Sequence, residues 1–144
     1  MLGKATEYAI RALVFIYLRN QAGRRPGFRE IAANIDSPVQ FTAKILQTLT
    51  RMEFISSMKG RGGGFFFTDP SVQVSLYDVI KAFEGEKFFN KCGFGLKSCD
   101  NDHPCPLHNE YSRIRESFNK LATRQTIQSL AGKIINRNAV LARV

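Results

Sequence analysis

Apolar residues at Leu2, Ala5, Ala9, Ala12, Leu13, Ile16 and Tyr17 recur at three- and four-residue steps. That period predicts an amphipathic helix over residues 2–20. Glu7 lies on it with Arg11 four residues on, a spacing expected to give an exposed ion pair of about 0.3 kcal/mol. Gln21 to Gly27 holds Gly23, Pro26 and Gly27 beside Arg24 and Arg25 and reads as a solvated turn. Phe28, Ile31, Ala32 and Ile35 then mark a short helix, Asp36-Ser37-Pro38 a break, and Val39, Phe41, Ala43, Ile45, Leu46 and Leu49 a second helix. Pro38 suits the first position of that helix, where its missing N–H costs nothing, and Ser37 suits the N-cap.

The period then changes. Phe54 to Met58 reads as a strand, Lys59 to Gly64 as a basic, Gly-rich tip, and Phe65 to Thr68 as the returning strand, ended by Asp69-Pro70. Two helices at a tight break followed by a basic-tipped hairpin make a winged helix-turn-helix. In that arrangement the second helix offers polar side chains to base edges, and the wing sets cations beside phosphates. Ser37, Gln40, Thr42 and Lys44 are the candidates on the helix, and Lys59 and Arg61 on the wing. Gln40 can bridge adenine and Lys44 can reach guanine or phosphate. The wing cations supply salt-dependent, sequence-blind affinity. The Gly-rich tip is not a nucleotide cradle, because no helix follows Gly64 and the Lys-Ser/Thr of a P-loop is missing.

Ser75 to Glu84 predicts a further helix, with Ser75 and Asp78 at capping-box spacing, an apolar face of Leu76, Val79, Ile80 and Phe83, and Gly85 as its stop. Beyond a Gly- and Pro-punctuated loop, Leu107, Tyr111, Ile114, Phe118 and Leu121 recur at steps of four, three, four and three. A 3.5-residue seam of this kind is what a helix shared with a second chain shows. Thr126 to Ile135 gives a last short helix, and Asn136 to Val144 reads as a loosely held tail.

Composition narrows the class. With 144 residues, 44% hydrophobic and 23% charged, the chain can bury a real core. No apolar run approaches the roughly 20 residues that cross a bilayer, and Met1 does not open a signal sequence; a cytoplasmic location and no membrane partner are expected. The net charge is +9. Residues 1–65 hold ten basic and four acidic side chains, so the excess sits in the half that carries the winged helix, as polyanion binding requires.

All three cysteines and both histidines fall between Cys92 and His108, as C-x6-C-x5-C-x2-H. An odd, clustered set in a reducing compartment points away from a disulfide framework and toward metal or redox chemistry. Thiolates select zinc, copper(I) or iron–sulfur clusters over hard cations. Gly93 and Gly95 are expected to turn the backbone through positive φ, and Pro104 and Pro106 to fix it around Cys105. Tetrahedral zinc sites use ligand pairs two to four residues apart, and only Cys105 and His108 form one. Widely spaced thiolates fit a polynuclear cluster better. A thiol oxidoreductase is disfavoured by the lack of a C-x-x-C pair, so an enzyme is not expected. His103 reads as a solvated loop residue.

Lys4-Ala5-Thr6-Glu7-Tyr8-Ala9-Ile10-Arg11-Ala12-Leu13, Lys44-Ile45-Leu46-Gln47, Gly60-Arg61-Gly62-Gly63-Gly64-Phe65, and Leu76-Tyr77-Asp78-Val79-Ile80 with Glu84-Gly85 together resemble the IscR/NsrR-type (BadM/Rrf-type) winged-helix iron–sulfur transcriptional regulators. The resemblance runs over about residues 1–122. It implies a homodimer with crossing C-terminal helices on a two-fold operator in double-stranded DNA, and an iron–sulfur cluster in the loop. Three cluster ligands carry over to Cys92, Cys99 and Cys105. The fourth matches His108 in the IscR-like pattern, or Glu7 of the partner chain in the NsrR-like pattern. Either a [2Fe-2S] or a [4Fe-4S] cluster is compatible with such a set. Two departures stand out: the gap from Cys92 to Cys99 is one residue longer than in the best-known members, and Ala43 replaces a carboxylate used in operator discrimination.

The expected fold is therefore mainly α with a small β-hairpin wing. A winged helix-turn-helix spans residues 1–85, a cysteine-rich cluster-binding loop 86–106, a dimerisation helix and short terminal helix 107–135, and a tail 136–144. The expected function is a DNA-binding transcriptional repressor controlled by a cluster that senses redox state, nitric oxide or iron–sulfur status. A zinc-stapled or thiol-based winged helix without a cluster is the alternative.

Overall fold

In a computed structural model, residues 2–96, 100–137 and 139–141 are described; Cys99, one of the expected ligands, lies outside them. The elements run α1 (Lys4–Gln21), α2 (Phe28–Ile35), α3 (Val39–Arg51), β1 (Ile55–Met58), β2 (Gly64–Phe67), α4 (Leu76–Glu84), a 3-10 turn (Glu86–Asn90), α5 (His108–Arg124) and α6 (Ile127–Arg137). This is the mainly α architecture with a hairpin wing that the hydrophobic pattern predicts.

Helix α1 is the centre of the core. Ala9, Ala12, Leu13 and Ile16 are fully buried, and the two alanines let α2, α4 and α6 approach its backbone closely. Its polar face differs from expectation. Glu7 accepts from Lys4 Nζ at 3.2 Å, whereas Arg11 donates to the Ile35 carbonyl at 3.4 Å and lies over the Tyr8 ring. The Glu7–Arg11 pair is replaced because Arg11 faces the open C-terminal carbonyls of α2.

The helix-turn-helix break is shifted by one residue from the sequence reading. Asp36 takes a left-handed conformation (φ 54°) and Ser37 N–H bonds back to the Ala32 carbonyl at 3.0 Å, a Schellman-type helix end. Pro38 restricts the residue before it to extended backbone and itself becomes the N-cap of α3, its carbonyl accepting from Thr42 N–H at 2.9 Å. Ser37 is thus not the cap; its hydroxyl accepts from Thr42 Oγ1 at 2.9 Å.

Strands β1 and β2 pair antiparallel with Ile55 opposite Phe67 and Met58 opposite Gly64. The hairpin gains a third edge from the α1–α2 loop, since Phe65 N–H donates to the Pro26 carbonyl at 2.8 Å. The Asn20 amide closes this arrangement, accepting from Phe67 N–H at 2.9 Å and donating to the carbonyls of Arg24 at 2.9 Å and Phe65 at 3.3 Å. One side chain thereby satisfies backbone groups that a short edge would leave bare.

Helix α4 starts with the Ser75 hydroxyl accepting from Asp78 N–H at 3.1 Å and ends at Gly85, whose φ of 90° suits glycine. Helix α5 leans on α4 and on the 3-10 turn. The last helix, which the sequence groups with α5, packs on α1. The tail is less loose than expected: the helix continues to Arg137, and Leu141 is half-buried beside Arg11, Val14, Phe15 and Ile134. The apolar groove between α1 and α6 gives that leucine a place to bury.

Candidate functional site

Gln40, Lys44, Gln47 and Arg51 lie on α3 at steps of four, three and four and are all exposed, so they form one polar stripe. Gln47 and Arg51 were missed by the sequence reading, although their spacing from Lys44 carries the signal. Thr42 was expected on the same face and is fully buried; its hydroxyl donates to the Pro38 carbonyl and Ser37 Oγ. It fixes the turn and is withdrawn from any DNA surface, and Ser37 is half-buried with it. Between α3 and the wing runs a groove of about 470 Å³ lined by Phe28, Ala43, Gln47, Arg51 and Phe65. Lys59 and Arg61 are exposed at the wing tip.

The cysteine loop is built on aromatic packing. In the 3-10 turn Phe89 is 3% exposed and stacks on Tyr77 with ring centroids 4.2 Å apart, and Phe88 meets Phe89 and Phe118 edge-on. Asn119 Nδ2 of α5 donates to the Phe89 carbonyl at 3.3 Å. These contacts fix where the chain enters the loop.

Cys92 follows at once and is 5% exposed. Its sulfur accepts from the Phe94 backbone N–H at 3.4 Å. That N–H, then the Leu96 N–H, the Cys105 side chain and the Gly95 N–H hold the Cys92 thiol below the usual cysteine range against its desolvation. Backbone donors aimed at a sulfur stabilise it as thiolate, the form that binds metal. Cys105 is half-buried.

Gly95 has φ 82°, as expected, but Gly93 is not at positive φ. Gly93 is needed for space instead: a Cβ there would come within 2.5 Å of the Tyr111 ring. His108 opens α5, its N–H bonding to the Cys105 carbonyl at 3.0 Å and its Nε2 lying 2.8 Å from Asn101 Oδ1. His103 is solvated, 3.0 Å from the Asp100 carboxylate. Glu7 is in the first turn of α1, paired with Lys4. Among the described residues no three His, Cys, Asp or Glu side chains of this chain converge as a metal site. A nearly buried sulfur that accepts from a backbone amide nevertheless suits a soft metal or an iron–sulfur group.

Along α5, Leu107, Ile114 and Leu121 are exposed, with Ile114 at 62%, while Tyr111 and Phe118 are half-buried. Among the described residues no helix is long and apolar enough to cross a membrane.

Residues 2–133 match the protein family described as Rrf2, iron-dependent transcriptional regulator. The chain is 29% identical over 106 residues to the HTH-type transcriptional repressor NsrR of Streptomyces coelicolor, covering 74% of this chain and 67% of that one. It is 26% identical over 142 residues to the HTH-type transcriptional regulator NsrR of Oceanobacillus iheyensis, covering 98% and 94%. Among solved structures it superposes on CymR (YrzC), the global cysteine regulator of B. subtilis, with TM-score 0.75 and 14% identity over 92% of this chain and 96% of that one. It superposes on T. potens IscR with TM-score 0.74 and 12% identity over 97% and 92%. At such identities the structures speak for the fold.

Proposed function

The chain belongs to the Rrf2 family of transcriptional regulators, and we propose that within it this protein is a homodimeric repressor whose operator affinity is set by an iron–sulfur cluster held by Cys92, Cys99 and Cys105. It is a DNA-binding regulator and not an enzyme. The fourth ligand is His108 of the same loop or Glu7 of the second subunit. Gln40 and Lys44 reach base edges, and Lys59 and Arg61 bind phosphates. The proposed location is the cytoplasm.

The observation that carries this reading is Cys92: a nearly buried sulfur that accepts from the Phe94 backbone N–H, in the same loop as Cys105. When bound, a cluster supplies a centre that reacts with oxidants and nitric oxide. The chain's own residues transmit the result. Gly93 abuts Tyr111, and Asn119 holds Phe89, so displacement of the loop moves α5. The exposed face of α5 then sets how two α3 helices are presented. Two half-sites must be met together, about 34 Å apart, so a small change there alters affinity strongly.

Protein purified without oxygen is expected to contain iron and sulfide and to absorb visible light, and Cys99→Ser to lose all three. Of Glu7→Ala and His108→Ala, one is expected to lose the cluster and the other to keep it. Absence of iron, sulfide and colour from the wild type sinks the cluster reading. Free cysteines at Cys92 and Cys105 in one loop also suit a thiol switch, which would show as iron-free protein whose DNA binding falls on mild oxidation.

A further inference from the structure

We infer that Arg25, in the loop between α1 and α2, is part of the DNA-binding surface: a cation built into the wing that clamps phosphates flanking the bases read by α3. This rests on the DNA-binding reading and extends it beyond the wing tip.

The loop is a component of the wing. Besides the Phe65–Pro26 hydrogen bond and the Asn20 clasp, the backbone of Arg25 lies so close to Gly64 that a Cβ on Gly64 would overlap the Arg25 carbonyl. The position of Arg25 is therefore set by the hairpin. Its side chain is set as well. The guanidinium lies 4.1 Å from the centroid of the Phe66 ring, and Nη1 is 3.5 Å from Met58 Sδ. Stacking on an aromatic face leaves the edge of a guanidinium, with its N–H fork, free for an anion such as phosphate. Arg25 is exposed, and among the described residues no carboxylate lies within ion-pair distance of it.

Strand alternation gives the direction. Phe65 and Phe67 face α3 and the core, so Phe66, paired with Ser56, is on the outer face of the wing. Arg25 stands there too, beside Met58, which Lys59 follows in sequence, with Arg61 beyond it. Arg24, exposed on the same loop, extends the row of cations. A surface turned away from α3 meets the backbone outside the segment that α3 reads. There it adds affinity without sequence choice.

The test is the salt dependence of binding to a mixed-sequence duplex of about three helical turns, followed by fluorescence anisotropy. For wild type, log K is expected to fall linearly with log salt, and Arg25→Gln to lower the slope by about one unit for each phosphate that a protomer no longer neutralises. Arg25→Lys keeps the charge and is expected to keep the slope. Phe66→Leu removes the platform and is expected to weaken binding several-fold at an unchanged slope. Equal slopes for wild type and Arg25→Gln overturn the proposal. So does an equal drop in slope for Arg25→Lys, with a matching fall in melting temperature, which would make the role structural. If wild type itself shows no salt-dependent binding, the DNA-binding reading falls first.

Discussion

Glu84 Oε1 is 2.7 Å from the Thr6 hydroxyl, which is buried, and the same oxygen is 2.7 Å from the Gly3 backbone N–H. The carboxylate at the end of α4 thus closes the start of α1. It meets the open amides and the positive end of the helix dipole. It also ties the turn that carries Glu7 to the residue just before the cysteine loop.

Glu84→Ala strands the buried Thr6 hydroxyl, while the exposed Gly3 N–H passes to water, and should cost about 1–3 kcal/mol. Glu84→Gln keeps an acceptor and should cost less. Thermal melts of the two variants check the order, and an Ala variant as stable as Gln would show that water replaces the carboxylate freely.

Gly93→Ala places a methyl against the Tyr111 ring, which is anchored on α5. The loop or the helix has to move. The expected result is impaired retention of the proposed cluster, with a winged helix that still melts cooperatively, read as iron per protomer and by circular dichroism. Full iron content would show that Tyr111 swings aside at no cost.

Ile114→Asp puts a charge in the middle of the apolar α5 face. Sedimentation is expected to find a dimer for wild type and a monomer for the variant, and operator affinity is expected to fall by orders of magnitude as the second half-site is lost. Dimers of unchanged stability would place the subunit contact elsewhere.

Local periodicity was enough for the helices, the hairpin and its basic tip, because each rests on a repeat of 3.6 or 2 residues or on Gly and Pro at fixed offsets. Cys92, Cys105 and His108 lie within one short stretch of the sequence, but among the described residues no three metal-ligating side chains converge. Residue type misled at Thr42. Its hydroxyl suggests a surface position, whereas its spacing of three, four and seven from Ile45, Leu46 and Leu49 puts it on the buried face, where Ser37 and Pro38 meet the hydroxyl. At Arg25 the solvated turn is as expected, and the side chain is exposed, but its contacts were not legible, because Gly64 and Phe66 arrive from about forty residues away in the chain.

The sequence by itself determined which segments are helix or strand, where positive charge gathers, and which side chains could ligate a soft metal. These depend on neighbours along the chain. Only the tertiary structure decided that Asn20 clasps the wing, that Glu84 closes α1, and that the Phe94 amide meets the nearly buried Cys92 sulfur. Those relations join residues distant in sequence or depend on the detailed course of an irregular loop, and they exist only once the core has brought the backbone into place.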